Sequence, residues 1–262
     1  MIRPWVGCVL TLLASYKIAH SAEPDMLQTI SEQSGFQKTG RYEEVERLCA
    51  AFAKAYPEAV RCQEFGRTPE GRPMLALIAS RGGALTPELA RERRLPVVLA
   101  QGGIHAGEIE GKDAGFLALR ELLDEKAAPG TLKSFVLVFV PVLNVDGHER
   151  FGRWNRPNQN GPEEMGWRTT GQNLNLNRDY TKLDAPETRA ILRLLDAWDP
   201  ILYVDLHTTD GAQFEPDVSN NIQPRYIGAP ELPANGARDA ARAQRQPRKT
   251  GFAATRFLPV TQ

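Results

Sequence analysis

The sequence has 262 residues, enough for one large domain or two small ones, and its apolar fraction of 42% suits a globular core. Lysine plus arginine equals aspartate plus glutamate at 32 each, so the chain as a whole lacks the basic footprint of a protein that binds nucleic acid or an anionic membrane. The balance is uneven: an acidic body from Glu23 to Asn235 lies between basic ends.

In chain order, residues 1–22 read as a secretory signal, with Arg3 before the apolar run "WVGCVLTLLA" and a small-residue patch, "AHSA", before "EPD". The run is too short to span a bilayer, which predicts a secreted or periplasmic protein with no membrane span in its mature form. With Cys8 in the signal, Cys49 and Cys62 remain as an even pair. Their spacing leaves two readings open, a disulfide or two reduced, half-buried thiols. Residues 23–40 are polar and read as a linker. The stretch "RYEEVERLCAAFAKAYP" places Val45, Leu48, Phe52 and Tyr56 at helical spacing, with Pro57 as a stop.

"AVRCQEF" and "MLALIAS" flank "GRTPEGRP" and predict a β-hairpin. "PVVLA", "SFVLVFVPV" and "ILYVDLHT" have the near-continuous apolar character of strands buried on both faces. "EIEGKDAGFLALRELLDEK" and "PETRAILRLLDAW" lie between them with helical spacing. Strands alternating with helices predict an α/β fold: a mixed, largely parallel central sheet with helices on both faces.

Ligand crevices in such folds lie at the carboxyl ends of strands. His105 follows the end of "PVVLA", His207 stands at the end of "ILYVDL", and Glu108 is expected in the first turn of the helix after His105. Two imidazoles and a carboxylate, with a fourth position for water, form the three-ligand pattern of a catalytic zinc. His-x-x-Glu alone is a weak signal that a solvated turn also satisfies, and the third ligand at a second strand end is what favours a metal.

Beyond these residues the chain resembles the zinc carboxypeptidases of the carboxypeptidase A superfamily, the M14 metallopeptidases. The resemblance runs in order from about Arg41 to Gly211, through "YEEVERLCAAFAKAYP", "FGRTPEGRPMLAL", "GGIHAGE", "NVDGHERF", "NLNRDY", "PETRAI" and "DLHTTDG". It implies zinc held by His105, Glu108 and His207, an oxyanion-stabilising role for Arg168, and a clamp on the substrate's terminal carboxylate by Asn177 and Arg178. The implied partner is a peptide with a free C-terminal carboxylate, and the implied activity is hydrolysis of the C-terminal peptide bond.

Two departures qualify this. Asn175 stands where many members have an aspartate that orients a zinc-bound histidine, and Asp205, on the same strand face as His207, reads equally as a substitute for it or as a structural aspartate. The family's general-base glutamate comes on later elements, and after His207 the only glutamates are Glu215 and Glu231, neither in a matching stretch. The expected organisation is therefore a signal at 1–22, a linker at 23–40, a partial zinc carboxypeptidase-like domain at 41–215 and an atypical, disordered tail at 216–262. A metallocarboxypeptidase is the first functional expectation. A related zinc amide hydrolase acting on cell-wall peptides or acylated amino acids, and a catalytically silent zinc-binding protein, are the alternatives.

Overall fold

The computed structural model describes residues 24–159 and 161–208, and the backbone of 218–220 and 254–256. Two compact units divide the chain, 1–208 and 209–262. The first begins with a short helix, α1 (Ile30–Gln33), and the amphipathic α2 (Tyr42–Ala55). The hairpin β1 (Val60–Arg67) and β2 (Pro73–Ala79) follows, then α3 (Pro87–Glu92), β3 (Val97–Gln101) and α4 (Glu110–Leu123). The later elements are β4 (Val136–Val140), α5 (Val145–Glu149), the small ribbon β5 (Gly152–Arg153) and β6 (Glu164–Met165), α6 (Pro186–Trp198) and β7 (Leu202–Asp205).

Five of these strands form one mixed sheet in the order β1-β2-β4-β3-β7. The hairpin and the β2–β4 pair are antiparallel, and β4, β3 and β7 run parallel. The hairpin turns where the sequence predicts, with Gly71 at φ +82 in a left-handed conformation that suits glycine.

Helices cover both faces, as side-chain alternation along the strands shows. Phe52 of α2 stacks on Phe116 of α4 with ring centroids 6.0 Å apart, and Phe116 meets Phe139 of β4 edge-on at 5.4 Å. Leu77 pairs with both Phe139 and Cys62, and Cys62 is disulfide-bonded to Cys49 of α2, which places all of them on that face. Met74, three residues from Leu77, points the other way beside Gly66, against which Ala190 of α6 packs. The core is built from the predicted stripes: Val45, Leu48 and Phe52 of α2, Phe116, Leu119 and Leu123 of α4, and Ile191 of α6 are buried.

The Cys49–Cys62 pair is a disulfide, with Cα atoms 5.3 Å apart, which resolves the two readings of the sequence. Residues 24–40, expected as a linker, are held against the domain. Thr29 caps α1, Ile30 N–H donates to Glu44, and the Arg120 guanidinium of α4 pairs with Glu32. In the second unit two short strands are described, β8 (Val218–Asn220) and β9 (Ala254–Arg256), paired in parallel. The rest of the expected tail at 216–262, like the expected signal at 1–22, lies outside the described residues.

Candidate metal centre

The parallel pairing of β3 with β7 sets Gln101 opposite Asp205, so the carboxyl ends of the two strands lie side by side. His105 leaves the end of β3 and His207 the end of β7, and their rings converge to a centroid separation of 5.0 Å. The "GG" before His105 has a steric reason. Gly103 takes φ +60, and a side chain there would also press on Val142.

Glu108 lies in the turn before α4 rather than in its first helical turn, which corrects the expectation from sequence. Its N–H donates to the His105 carbonyl at 2.9 Å, and α4 begins only at Glu110. Within this turn, a β-carbon at Gly107 would come within 2.7 Å of both the Arg156 side chain and the Gly166 carbonyl. Only glycine permits that approach.

The buried Glu108 carboxylate is the centre of the site. One oxygen, Oε1, faces His105 Nδ1 at 2.8 Å, and the other, Oε2, faces His207 Nδ1 at 2.8 Å. Thr208 N–H donates to Oε2 at 3.1 Å and Arg156 Nη2 to Oε1 at 3.1 Å, while Arg168 Nη1 lies 3.6 Å from Oε1. Burial alone raises a carboxyl pKa, but the hydrogen bonds from His105 and His207 outweigh it and hold Glu108 far below the usual carboxylate range. His207 is pushed up to about 10 by hydrogen bonds to Asp205 and then Glu108.

The donor set fits a zinc ion. Ligand atoms of His105, Glu108 and His207 lie within 4.8 Å of one another, and the two imidazoles present the same nitrogen to one carboxylate. Among the described residues no other group of three or more His, Cys, Asp or Glu side chains meets this arrangement.

The other expected residues are placed less uniformly. Arg168 stands beside the trio, and its carbonyl accepts from the Asn144 amide at 3.1 Å. Asn177 and Arg178 lie on a single 3-10 turn, Leu176–Arg178, where the exposed Arg178 donates to the Asn177 carbonyl at 2.7 Å. Asn175 Oδ1 takes the Asn177 N–H at 3.0 Å, whereas Asp205 Oδ2 does meet His207 Nε2, also at 3.0 Å. Glu215 and Glu231 lie outside the described residues.

Three residues at the site escaped sequence reasoning. Arg156 was one arginine among several in its segment, and nothing local distinguished it. Gln101 did carry a signal, a polar residue ending an apolar run, and it is fully buried. Glu110 also borders the site, where its carboxylate accepts from the Thr208 hydroxyl at 3.1 Å.

Known proteins share sequence and fold with this chain. A family model described as zinc carboxypeptidase matches residues 45–256. Carboxypeptidase D of Drosophila melanogaster is 30% identical over 161 residues, covering 58% of this chain and 11% of that protein. The protein named inactive metallocarboxypeptidase ecm14 of Schizosaccharomyces pombe is 31% identical over 119 residues, covering 44% of this chain and 24% of its own length. Among solved structures, carboxypeptidase A of Helicoverpa armigera superposes with a TM-score of 0.53 at 23% identity, covering 66% of this chain and 47% of that one, which shows the shared fold. The chain thus spans a tenth to a quarter of these two relatives.

Proposed function

Since the chain belongs to the zinc carboxypeptidase family, we propose that it is a metallocarboxypeptidase-type hydrolase removing C-terminal residues from peptides, with zinc held by His105, Glu108 and His207. The observation that carries this reading is the convergence of two imidazole Nδ1 atoms on one buried carboxylate, each at 2.8 Å. Zinc bound there supplies a Lewis acid and lowers the pKa of a water toward neutrality.

The protein's own groups then have distinct tasks. Arg168 brings a guanidinium to the edge of the site, where it stabilises negative charge developing on the scissile carbonyl oxygen. Asn177 and Arg178 hold the substrate's terminal carboxylate, for which a guanidinium offers two parallel hydrogen bonds and an amide a third. Export to an oxidising compartment is part of the same reading, and the Cys49–Cys62 disulfide supports it. Among the described residues no helix is long and apolar enough to cross a membrane.

Zinc content tests the assignment. Purified protein is expected to hold about one equivalent, and a His105→Ala, His207→Ala double variant to lose most of it. Unchanged zinc in the double variant overturns the site. A second reading, a silent zinc-binding protein, is favoured by the similarity to a relative named inactive. Chelator-sensitive release of the last residue from a free-carboxylate peptide supports the hydrolase, and retained zinc without turnover supports the silent protein.

A further inference from the structure

We propose that Asp205, anchored by Gln101, is the carboxylate that positions His207 for metal binding, and that the site is orientated through this histidine rather than through His105. The inference rests on the zinc reading given above. It starts from the parallel register, which places Gln101 of β3 directly opposite Asp205 of β7. Gln101 is fully buried, and its Nε2 donates to Asp205 Oδ1 at 3.1 Å. The second oxygen, Oδ2, accepts from His207 Nε2 at 3.0 Å, and His207 Nδ1 then faces Glu108 Oε2 at 2.8 Å. Glutamine, aspartate, imidazole and glutamate thus form one hydrogen-bonded line from the sheet interior to the metal position.

The direction of that line has a chemical consequence. An imidazole offers one nitrogen to a metal while the other keeps its proton, and a carboxylate accepting that proton fixes the tautomer and the ring plane and makes the ligand more basic. His207 has this support. His105 does not: its Nδ1 faces Glu108, while its Nε2 is buried with no hydrogen-bond partner among the described residues. His207 is also the more exposed of the two, with a third of its side-chain surface open against 5% for His105, so packing restrains it less and the carboxylate matters more.

Asp205 and Gln101 could instead serve only to pin β3 to β7, so the test needs a readout that strand pairing would not move. Zinc affinity is measured by competition with a chromogenic chelator, beside the melting temperature of the zinc-free protein. Asp205→Ala is expected to weaken zinc about 10 to 100-fold, a loss that strand pairing alone would not cause, while the zinc-free melting temperature, which also registers the loss of the Asp205–His207 contact, serves to show that the variant folds. Asp205→Asn is expected to fall between, because one amide oxygen must serve two donors. In nitrogen-15 histidine spectra of the zinc-loaded protein, the His207 Nε2 proton is expected to be slow to exchange in wild type and fast in Asp205→Ala.

If Asp205→Ala does not fold, Gln101→Ala, which leaves carboxylate and imidazole in place but frees one from the sheet, is expected to lower affinity by less. Zinc affinity within about threefold of wild type in the aspartate variants that fold overturns the proposal, since a working carboxylate partner is worth more than that, and if neither folds, unchanged affinity together with an unchanged exchange rate of the His207 Nε2 proton in Gln101→Ala overturns it. Zinc retained by His207→Ala overturns the metal site itself and this inference with it, so the two failures are told apart.

Discussion

Glu108 accepts from two imidazoles, one backbone amide and the Arg156 guanidinium, which is why a carboxylate can stay ionised where little water reaches it. Arg156 and Arg168 differ in what they do around it. Arg156 is buried with its guanidinium on the carboxylate, whereas about a third of the Arg168 side-chain surface is open to solvent, 3.6 Å from the same oxygen. Arg168→Ala is therefore expected to act on the reaction, lowering kcat about 10² to 10³-fold with little change in KM, as loss of an oxyanion donor does. Arg178→Ala is expected to raise KM about 10 to 100-fold for free-carboxylate peptides, the worth of a charged hydrogen bond. Steady-state kinetics on paired free and amidated peptides checks both, and equal effects of Arg178→Ala on the two removes it from the clamp.

At the level of elements, strands and helices were legible wherever a run was long and patterned. The apolar stripe of α2, the hairpin and the three parallel strands lie where the sequence puts them. However, β7, at the end of the sheet order, is not buried on both faces as its apolar run suggests: Ile201 and Leu202 are exposed, because apolar content alone does not tell an inner strand from an outer one. The start of α4 was not legible, because its apolar residues Phe116, Leu119 and Leu123 fix the helix but say nothing of its first turn, and the close approach at Gly107 just before it involves residues about 50 and 60 positions away. The convergence of His105, Glu108 and His207 was legible because parallel strands bring their carboxyl ends together as a matter of topology, while Arg156, arriving from an irregular loop, was not. The disulfide needed the pairing of β1 beneath α2, which no Cys spacing reveals. It closes a loop of 13 residues between α2 and β1, for which about 3 kcal/mol of stabilisation is expected from the restricted unfolded chain. Reduction, or a Cys49→Ala, Cys62→Ala variant, should then lower the melting temperature by about 6 to 12 °C for a unit of this size. An unchanged melting temperature on complete reduction counts against that contribution.

Across the whole unit, the segments around the site are tied together by buried charge as well as by apolar packing. Lys112 of α4 is buried against Glu44 of α2 at 2.6 Å and its neighbour Asp113 at 2.5 Å, and Asp113 accepts from Thr39 at 2.7 Å. His148 of α5 lies beside this cluster with its ring edge toward Phe151, its Nε2 donating to the Gly40 carbonyl at 3.1 Å and its Nδ1 at 3.4 Å from Ala106, next to His105. Periodicity could not have found such a network, since which lysine is buried depends on what three separate segments place around it. Burial, and then the nearby Lys112 charge, hold the His148 imidazole down to about 4, against about 6.5 in an unfolded chain. A depressed imidazole is neutral in the fold, so as pH falls below about 6.5 the unfolded chain takes up a proton that the folded chain refuses, and the loss levels off near pH 4. At most about 3 kcal/mol is lost across that window. His207 is shifted the other way, to about 10, so its contribution in the zinc-free protein is complete below about pH 6.5 and changes only above it. Melting temperatures of the zinc-free protein should accordingly drop between pH 6.5 and 4, and His148→Gln, whose amide can still donate to Gly40, should be less stable at pH 7.5 yet lose less on acidification. Parallel pH profiles for wild type and His148→Gln would show that this buried histidine is not the source of the acid sensitivity.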